Sequence, residues 1–122
     1  MQGLVSLTCL TFGYHFNQTL GDSLKGLNNL THLKFGKCFN QPLGDSLQRL
    51  SKLTHLTFSY QDSEDTRRVK ISCDQIGYGF NQPLGDSLQG LNSLTHLTLG
   101  IYFNQPLRDS LQGLNSLTDL TY

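Results

Sequence analysis

One phrase constrains this chain more than any other feature. Phe39-Asn40-Gln41-Pro42-Leu43-Gly44-Asp45-Ser46-Leu47 returns almost letter for letter from Phe80 and from Phe103, and a weaker form begins at Phe16-Asn17-Gln18-Thr19-Leu20. Each copy follows a run such as Leu30-Thr31-His32-Leu33-Lys34-Phe35. The leucines that open these runs, Leu7, Leu30, Leu53, Leu94 and Leu117, are separated by steps of 23, 23, 41 and 23 residues. Self-similarity at a fixed period is the signature of a stacked solenoid, in which no single unit can bury its apolar face alone. The long step equals one ordinary step with 18 further residues, and removing 59–76 would restore the register. The array therefore divides into a partial repeat at 1–6, repeats at 7–29, 30–52, 53–93 (carrying the insertion) and 94–116, and a partial repeat at 117–122.

Within one period, Leu33 and Phe35 alternate with His32 and Lys34, which reads as a short strand with one face to a core and the other to solvent. Further along, Leu47, Leu50 and Leu53 recur every three residues behind Asp45 and Ser46, with Gln48 placed to close a capping box. That pattern predicts a brief helical turn, kept short by glycines such as Gly26, Gly90 and Gly113. The expected fold is a repeat solenoid, α/β or β-dominated. Coils of 23 residues would lay about five short parallel strands on a concave face, with bends or short 3₁₀ or α turns opposite.

Like residues then stack in columns about 4.8 Å apart. Phe16, Phe39, Phe80 and Phe103 form an aromatic column, and Asn17, Asn40, Asn81 and Asn104 lie beside it. At a tight bend the backbone leaves amide groups without partners, and an asparagine can satisfy them between coils. The asparagines are expected to form such a ladder, with Pro42, Pro83 and Pro106 fixing the bend.

The Leu-Thr-His-Leu-Thr-Phe run of residues 53–58 and the Phe-Asn-Gln-Pro-Leu phrase together resemble the FNIP repeat, a variant within the leucine-rich repeat superfamily. The likeness covers the chain outside the insertion. The asparagine falls later in the coil than in the common leucine-rich pattern, so the bend is expected to differ. The resemblance implies a target-binding role, because such repeats often stand beside an F-box or another module. No F-box is written in these 122 residues.

A non-enzymatic protein-interaction solenoid is thus the expected function, with no cofactor. Its partner would meet the outward strand positions: Cys9, His32, His55, His96 and Asp119 in one column, and Thr11, Lys34, Thr57, Thr98 and Thr121 in the next. Three histidines in line, bounded by cysteine and aspartate, also raise the alternative of a metal-binding or pH-sensing surface at His32, His55 and His96. Parallel side chains converge poorly on one ion, and the sequence suggests no groups to orient the imidazoles. A third alternative is a fragment of a longer array, or a gene-model artefact, without function of its own. The serines, histidines and aspartates are repeat positions rather than a singular constellation, and Asp22, Asp45, Asp86 and Asp109 read as helix caps rather than acid/base pairs.

Nine acidic and nine basic residues leave no formal net charge, which argues against nucleic acid and anionic membranes as partners. Without a basic start, a long apolar run or a signal-peptide pattern, the chain is expected to be intracellular and cytoplasmic. Three cysteines at three different repeat positions (Cys9, Cys38 and Cys73) are expected to be reduced. The Asn17 and Asn29 sequons are expected to stay unmodified. The insertion holds seven charged residues and is expected to protrude as a mobile loop. The outermost coils, lacking polar caps, are expected to favour end-to-end self-association or a longer array.

Overall fold

The computed structural model describes residues 6–13, 15–60, 80–100, 103–107 and 109–121. Five strands follow one another along the chain: β1 (Cys9–Thr11), β2 (His32–Gly36), β3 (His55–Tyr60), β4 (His96–Thr98) and β5 (Asp119–Thr121). They form one sheet in the order β1-β2-β3-β4-β5, every pair parallel. Sequential strands can pair in parallel only if the chain returns to the same end of the sheet each time, and one coil provides that return. Cys9 stands opposite His32, His32 opposite His55, His55 opposite His96, and His96 opposite Asp119. The chain is a β-solenoid. The register survives the 41-residue step, since added loop length costs little once the ends are in place.

Apolar side chains from every side of the coil meet in one core. Leu33, Leu56 and Leu97 enter from the strands, and Leu24, Leu47 and Leu88, with Leu27, Leu50 and Leu91, enter from the opposite wall. Each fully buried leucine contributes about 1.5–3 kcal/mol relative to exposure. Two phenylalanine columns interlock alongside: Phe35 stacks on Phe58 at 5.2 Å and Phe39 on Phe80 at 6.2 Å, while Phe35–Phe39 and Phe58–Phe80 centroids are 4.2 and 4.0 Å apart. Leu7, Leu10, Phe12 and Phe16 of the first coil, and Leu107, Leu111, Leu117 and Leu120 of the last, are only partly buried.

The expected helical turn is absent among the described residues. In its place run successive turns closed three residues apart: Ser46 N–H to Leu43 O (3.0 Å), Gln48 N–H to Asp45 O (3.2 Å), Leu50 N–H to Leu47 O (3.1 Å) and Leu53 N–H to Leu50 O (3.0 Å). A spacing of three serves linked turns as well as it serves a helix, and left-handed glycines such as Gly44 (φ 55°) and Gly85 (φ 48°) interrupt any helix. With no helix to cap, Asp45 accepts within a turn through its carbonyl. Gln48 closes no capping box; its Nε2 donates to Asp86 O of the following coil at 3.1 Å.

Two other expectations change. The first is that β3 continues through Ser59 and Tyr60, the first two insertion residues, and Gly36 faces Tyr60 after a register shift. The rest of the insertion lies outside the described residues. The second concerns the thiols: Cys9 is free, but the buried Cys38 is disulfide-bonded, so uniformly reduced thiols do not hold. An odd count leaves room for one pair, and repeat position constrains only residues that stay in register. Among the described residues, no helix is long and apolar enough to cross a membrane.

Gly90 and Gly113 hold equivalent places at φ 90° and 86°, but a Cβ on Gly90 would lie 2.8 Å from the Gln48 carbonyl oxygen, whereas one on Gly113 meets nothing within 4 Å. Gly113→Ala should therefore cost only the left-handed backbone strain, about 1–2 kcal/mol. Gly90→Ala should add an overpacking cost of about 1–3 kcal/mol, and urea unfolding of the two variants will measure the difference.

Candidate functional site

Threonine and histidine are adjacent three times, as Thr31-His32, Thr54-His55 and Thr95-His96, and the solenoid uses each pair in the same way. The Thr8 carbonyl accepts the Thr31 N–H (2.8 Å), the His32 N–H (3.0 Å) and the Thr31 hydroxyl (3.1 Å). The carbonyls of Thr31, Thr54 and Thr95 accept the same three donors from the coil that follows. Each of the three threonine hydroxyls also lies 2.7–2.8 Å from the Nδ1 of its own histidine. A hydroxyl carries one proton, and a carbonyl can only accept. A threonine proton given to the carbonyl makes Nδ1 the donor in the Thr–His bond, and a neutral His32 or His55 then leaves Nε2 as a bare acceptor; a threonine proton given to Nδ1 puts the ring proton on Nε2 instead.

The rings themselves stack. His32 and His55 have centroids 4.3 Å apart at 10°, and His55 and His96 are 4.3 Å apart at 8°. At the far end His96 Nε2 meets Asp119 Oδ2 at 2.9 Å. A carboxylate accepts, so this contact places a proton on Nε2 of His96. The pKa of His55 is lowered, first by burial, which disfavours its charge, then by His32 and His96 on either side, with Lys34 adding to the effect and Asp119 opposing it.

The second outward column also forms, with Thr11 opposite Lys34, Lys34 opposite Thr57, Thr57 opposite Thr98, and Thr98 opposite Thr121. Cys9 sits at the β1 edge with its thiol exposed and 3.9 Å from Thr8 Oγ1. All the anticipated strand-face residues thus share one surface. What the sequence did not suggest is the orienting role of the threonine that precedes each histidine. The orienting groups that a metal centre needs are present, but convergence is not: nearly parallel rings 4.3 Å apart cannot aim two Nε2 lone pairs at one ion with bonds of about 2.0–2.1 Å. Among the described residues, no group of three or more His, Cys, Asp or Glu side chains is arranged to hold a metal.

On the bend, each asparagine Oδ1 accepts the backbone N–H of the next asparagine: Asn40 to Asn17 at 2.8 Å, Asn81 to Asn40 at 2.8 Å, and Asn104 to Asn81 at 2.7 Å. Gln41, Gln82 and Gln105 reinforce each step, their Nε2 groups bridging to the carbonyl and Oδ1 of the preceding asparagine at 3.1–3.2 Å. Their recurrence beside every asparagine was the signal for this role. On the turn side, a cleft of about 440 Å³ runs between Pro83, Asp86 and Gln89 of one coil and Pro106, Asp109 and Gln112 of the next. There Gln112 Nε2 donates to Asp109 Oδ1 at 3.4 Å.

Comparison with protein-family models and with curated proteins finds no match to this chain.

Two outcomes follow from this geometry. Asn40→Ala strands the Asn81 N–H and leaves the Gln82 amide only the backbone carbonyl of residue 40, and it should cost about 1–3 kcal/mol in chemical denaturation, whereas Asn40→Asp retains an acceptor and should recover part of the loss. For His55, the unfolded chain takes up its proton near 6.5, before the folded chain does. Its contribution to stability is complete above that pH and is lost as the pH falls through the folded value. Urea midpoints between pH 7.5 and 5 should therefore fall less steeply for His55→Asn than for the unaltered chain.

Proposed function

We propose that this chain is a non-enzymatic protein-interaction solenoid of the FNIP type, working as the target-binding part of a larger adaptor. The observation that carries the reading is the continuity of the strand face. Register places His32, His55 and His96 in one column, and Lys34, Thr57 and Thr98 in the next, on half-exposed positions of a sheet whose opposite face is closed by the core. Extended surfaces built by repetition are how solenoids meet large partners. The chained Asn40, Asn81 and Asn104 bonds support the reading of this column as the asparagine ladder of a leucine-rich-type coil. A non-enzymatic role fits a surface on which chemically equivalent groups recur at each coil, since nucleophilic catalysis needs one distinct base and one orienting group. The balanced charge favours a protein partner over nucleic acid or a membrane.

The test compares two faces. Lys34→Glu, Thr57→Arg and Thr98→Arg alter the strand face, whereas Asp45→Arg and Gln89→Arg alter the exposed turn side. Partners recovered with the unaltered chain and identified by mass spectrometry should weaken about tenfold or more with the strand-face set, the scale of losing a binding hot spot, and persist with the turn-side set. Equal retention by both sets, with circular dichroism unchanged, would remove the strand face as the binding surface.

A further inference from the structure

We propose that the histidine column is a carboxylate-binding strip: on acidification, His32 and His55 together take an extended acidic segment of a partner protein. The proposal rests on the reading of the strand face as an interaction surface and adds the partner's chemistry. Its first premise is the nitrogen at which protons arrive. Nδ1 of each ring is committed to Thr31 or Thr54, whose hydroxyls are committed in turn to the carbonyls of Thr8 and Thr31. With the threonine protons on those carbonyls, a proton added to His32 or His55 lands on Nε2 and creates a new cationic donor there.

The second premise is that the column holds one internal example of what such a donor seeks. His96 Nε2 meets the Asp119 carboxylate, supplied by the adjacent strand, at 2.9 Å. Among the described residues, His32 and His55 have no counterpart to that pair. Their column neighbours are Cys9 from β1 and other imidazoles, and the stacked rings turn their Nε2 edges the same way rather than toward one another. Among the described residues, the other titratable or charged groups facing the column are Lys34 on β2, His96 on β4 and Asp119 on β5. Once His32 and His55 are charged, the carboxylate that faces the column among the described residues is that of Asp119. Carboxylates from outside would repeat the His96–Asp119 pair at two further steps of the ladder and offset the repulsion between stacked cations. Side chains on one side of an extended peptide recur every two residues, about 6.6 Å, against a strand spacing of about 4.8 Å; flexible glutamates span that difference.

Hexaglutamate titrated into the full chain by calorimetry at low salt tests the idea. Between pH 7.5 and 5.5, affinity should rise at least about tenfold, with one to two protons taken up per complex, counted from the heats in two buffers of different ionisation enthalpy. The double variant His32→Asn with His55→Asn keeps an amide donor for the threonine hydroxyl but has no titrating nitrogen, and it should lose the enhancement. No tightening with acid, or tightening that survives in the double variant, would overturn the proposal. Nitrogen-15 spectra of labelled histidine supply an independent arm. At pH 7.5 His32 and His55 should be protonated on Nδ1 alone, and an Nε2–H form would sink the first premise. Failure of hexaglutamate to bind leaves the interaction reading standing wherever the strand-face variants still lose their partners at pH 7.5. Partner capture indifferent to those variants removes that reading without touching acid-dependent hexaglutamate binding.

Discussion

The carbonyl of the threonine before each of the first four strands takes two backbone N–H groups and one hydroxyl from the coil that follows, and the rest of the solenoid depends on that junction. Three donors converging on one oxygen fix where the next coil starts. A slip of one residue would turn the strand over, sending Leu33 and Leu56 to solvent and His32 and His55 into the core. The chained asparagines hold the same register on the bend, roughly half a coil away. Between these two seams the apolar columns have no freedom to slide, so leucine packs on leucine and phenylalanine on phenylalanine, except that Leu99 succeeds Phe12, Phe35 and Phe58 in its column. The register is therefore specified by hydrogen bonds and stabilised by apolar burial.

Most of this was legible because a solenoid converts sequence period directly into spatial neighbours. Once Leu7, Leu30, Leu53, Leu94 and Leu117 are aligned, the strand pairs and the outward columns of His32 and Lys34 follow with no further assumption. What escaped reading depends on atoms rather than on period. Leu47, Leu50 and Leu53 are spaced alike in a 3₁₀ turn and in linked β-turns; backbone conformation at Gly44 and Gly85 decides between them, and glycine in a sequence says only that a left-handed conformation is permitted. Gln48 was paired with its own turn although its amide reaches Asp86, because a capping-box pattern considers one coil at a time. The state of Cys38 escaped for a related reason: column logic ranks residues by repeat position, and a disulfide obeys distance alone.

The histidine column shows how a repeated residue acquires unequal properties. His32, His55 and His96 make the same threonine bond, but His55 stacks on two imidazoles and the other two on one each, and His96 has Asp119 as its neighbour. That one substitution in the repeat gives one ring a carboxylate, while burial and then the imidazoles on either side disfavour charge on His55. Neutral stacked imidazoles repel little and bury apolar ring surface. Protonated ones repel at a separation where even a high effective dielectric leaves an appreciable energy.

A surface of this kind separates affinity from identity. The repeated elements, the threonine hydroxyls and stacked rings, supply a regular spacing that any chain with the same period would share. On the proposed interaction reading, discrimination between partners would come from the positions where the repeat is broken: Cys9 and Asp119 in the histidine column, and Lys34 in the threonine column. Lys34 and Asp119 lie on strands three steps apart and carry opposite charge, so the strand face has an electrical direction along the array. An acidic segment that favours the His32 and Lys34 end is repelled at Asp119. Specificity is a difference between favourable and unfavourable contacts, and a partner laid along this face would meet both, in an order that fixes which way round it binds.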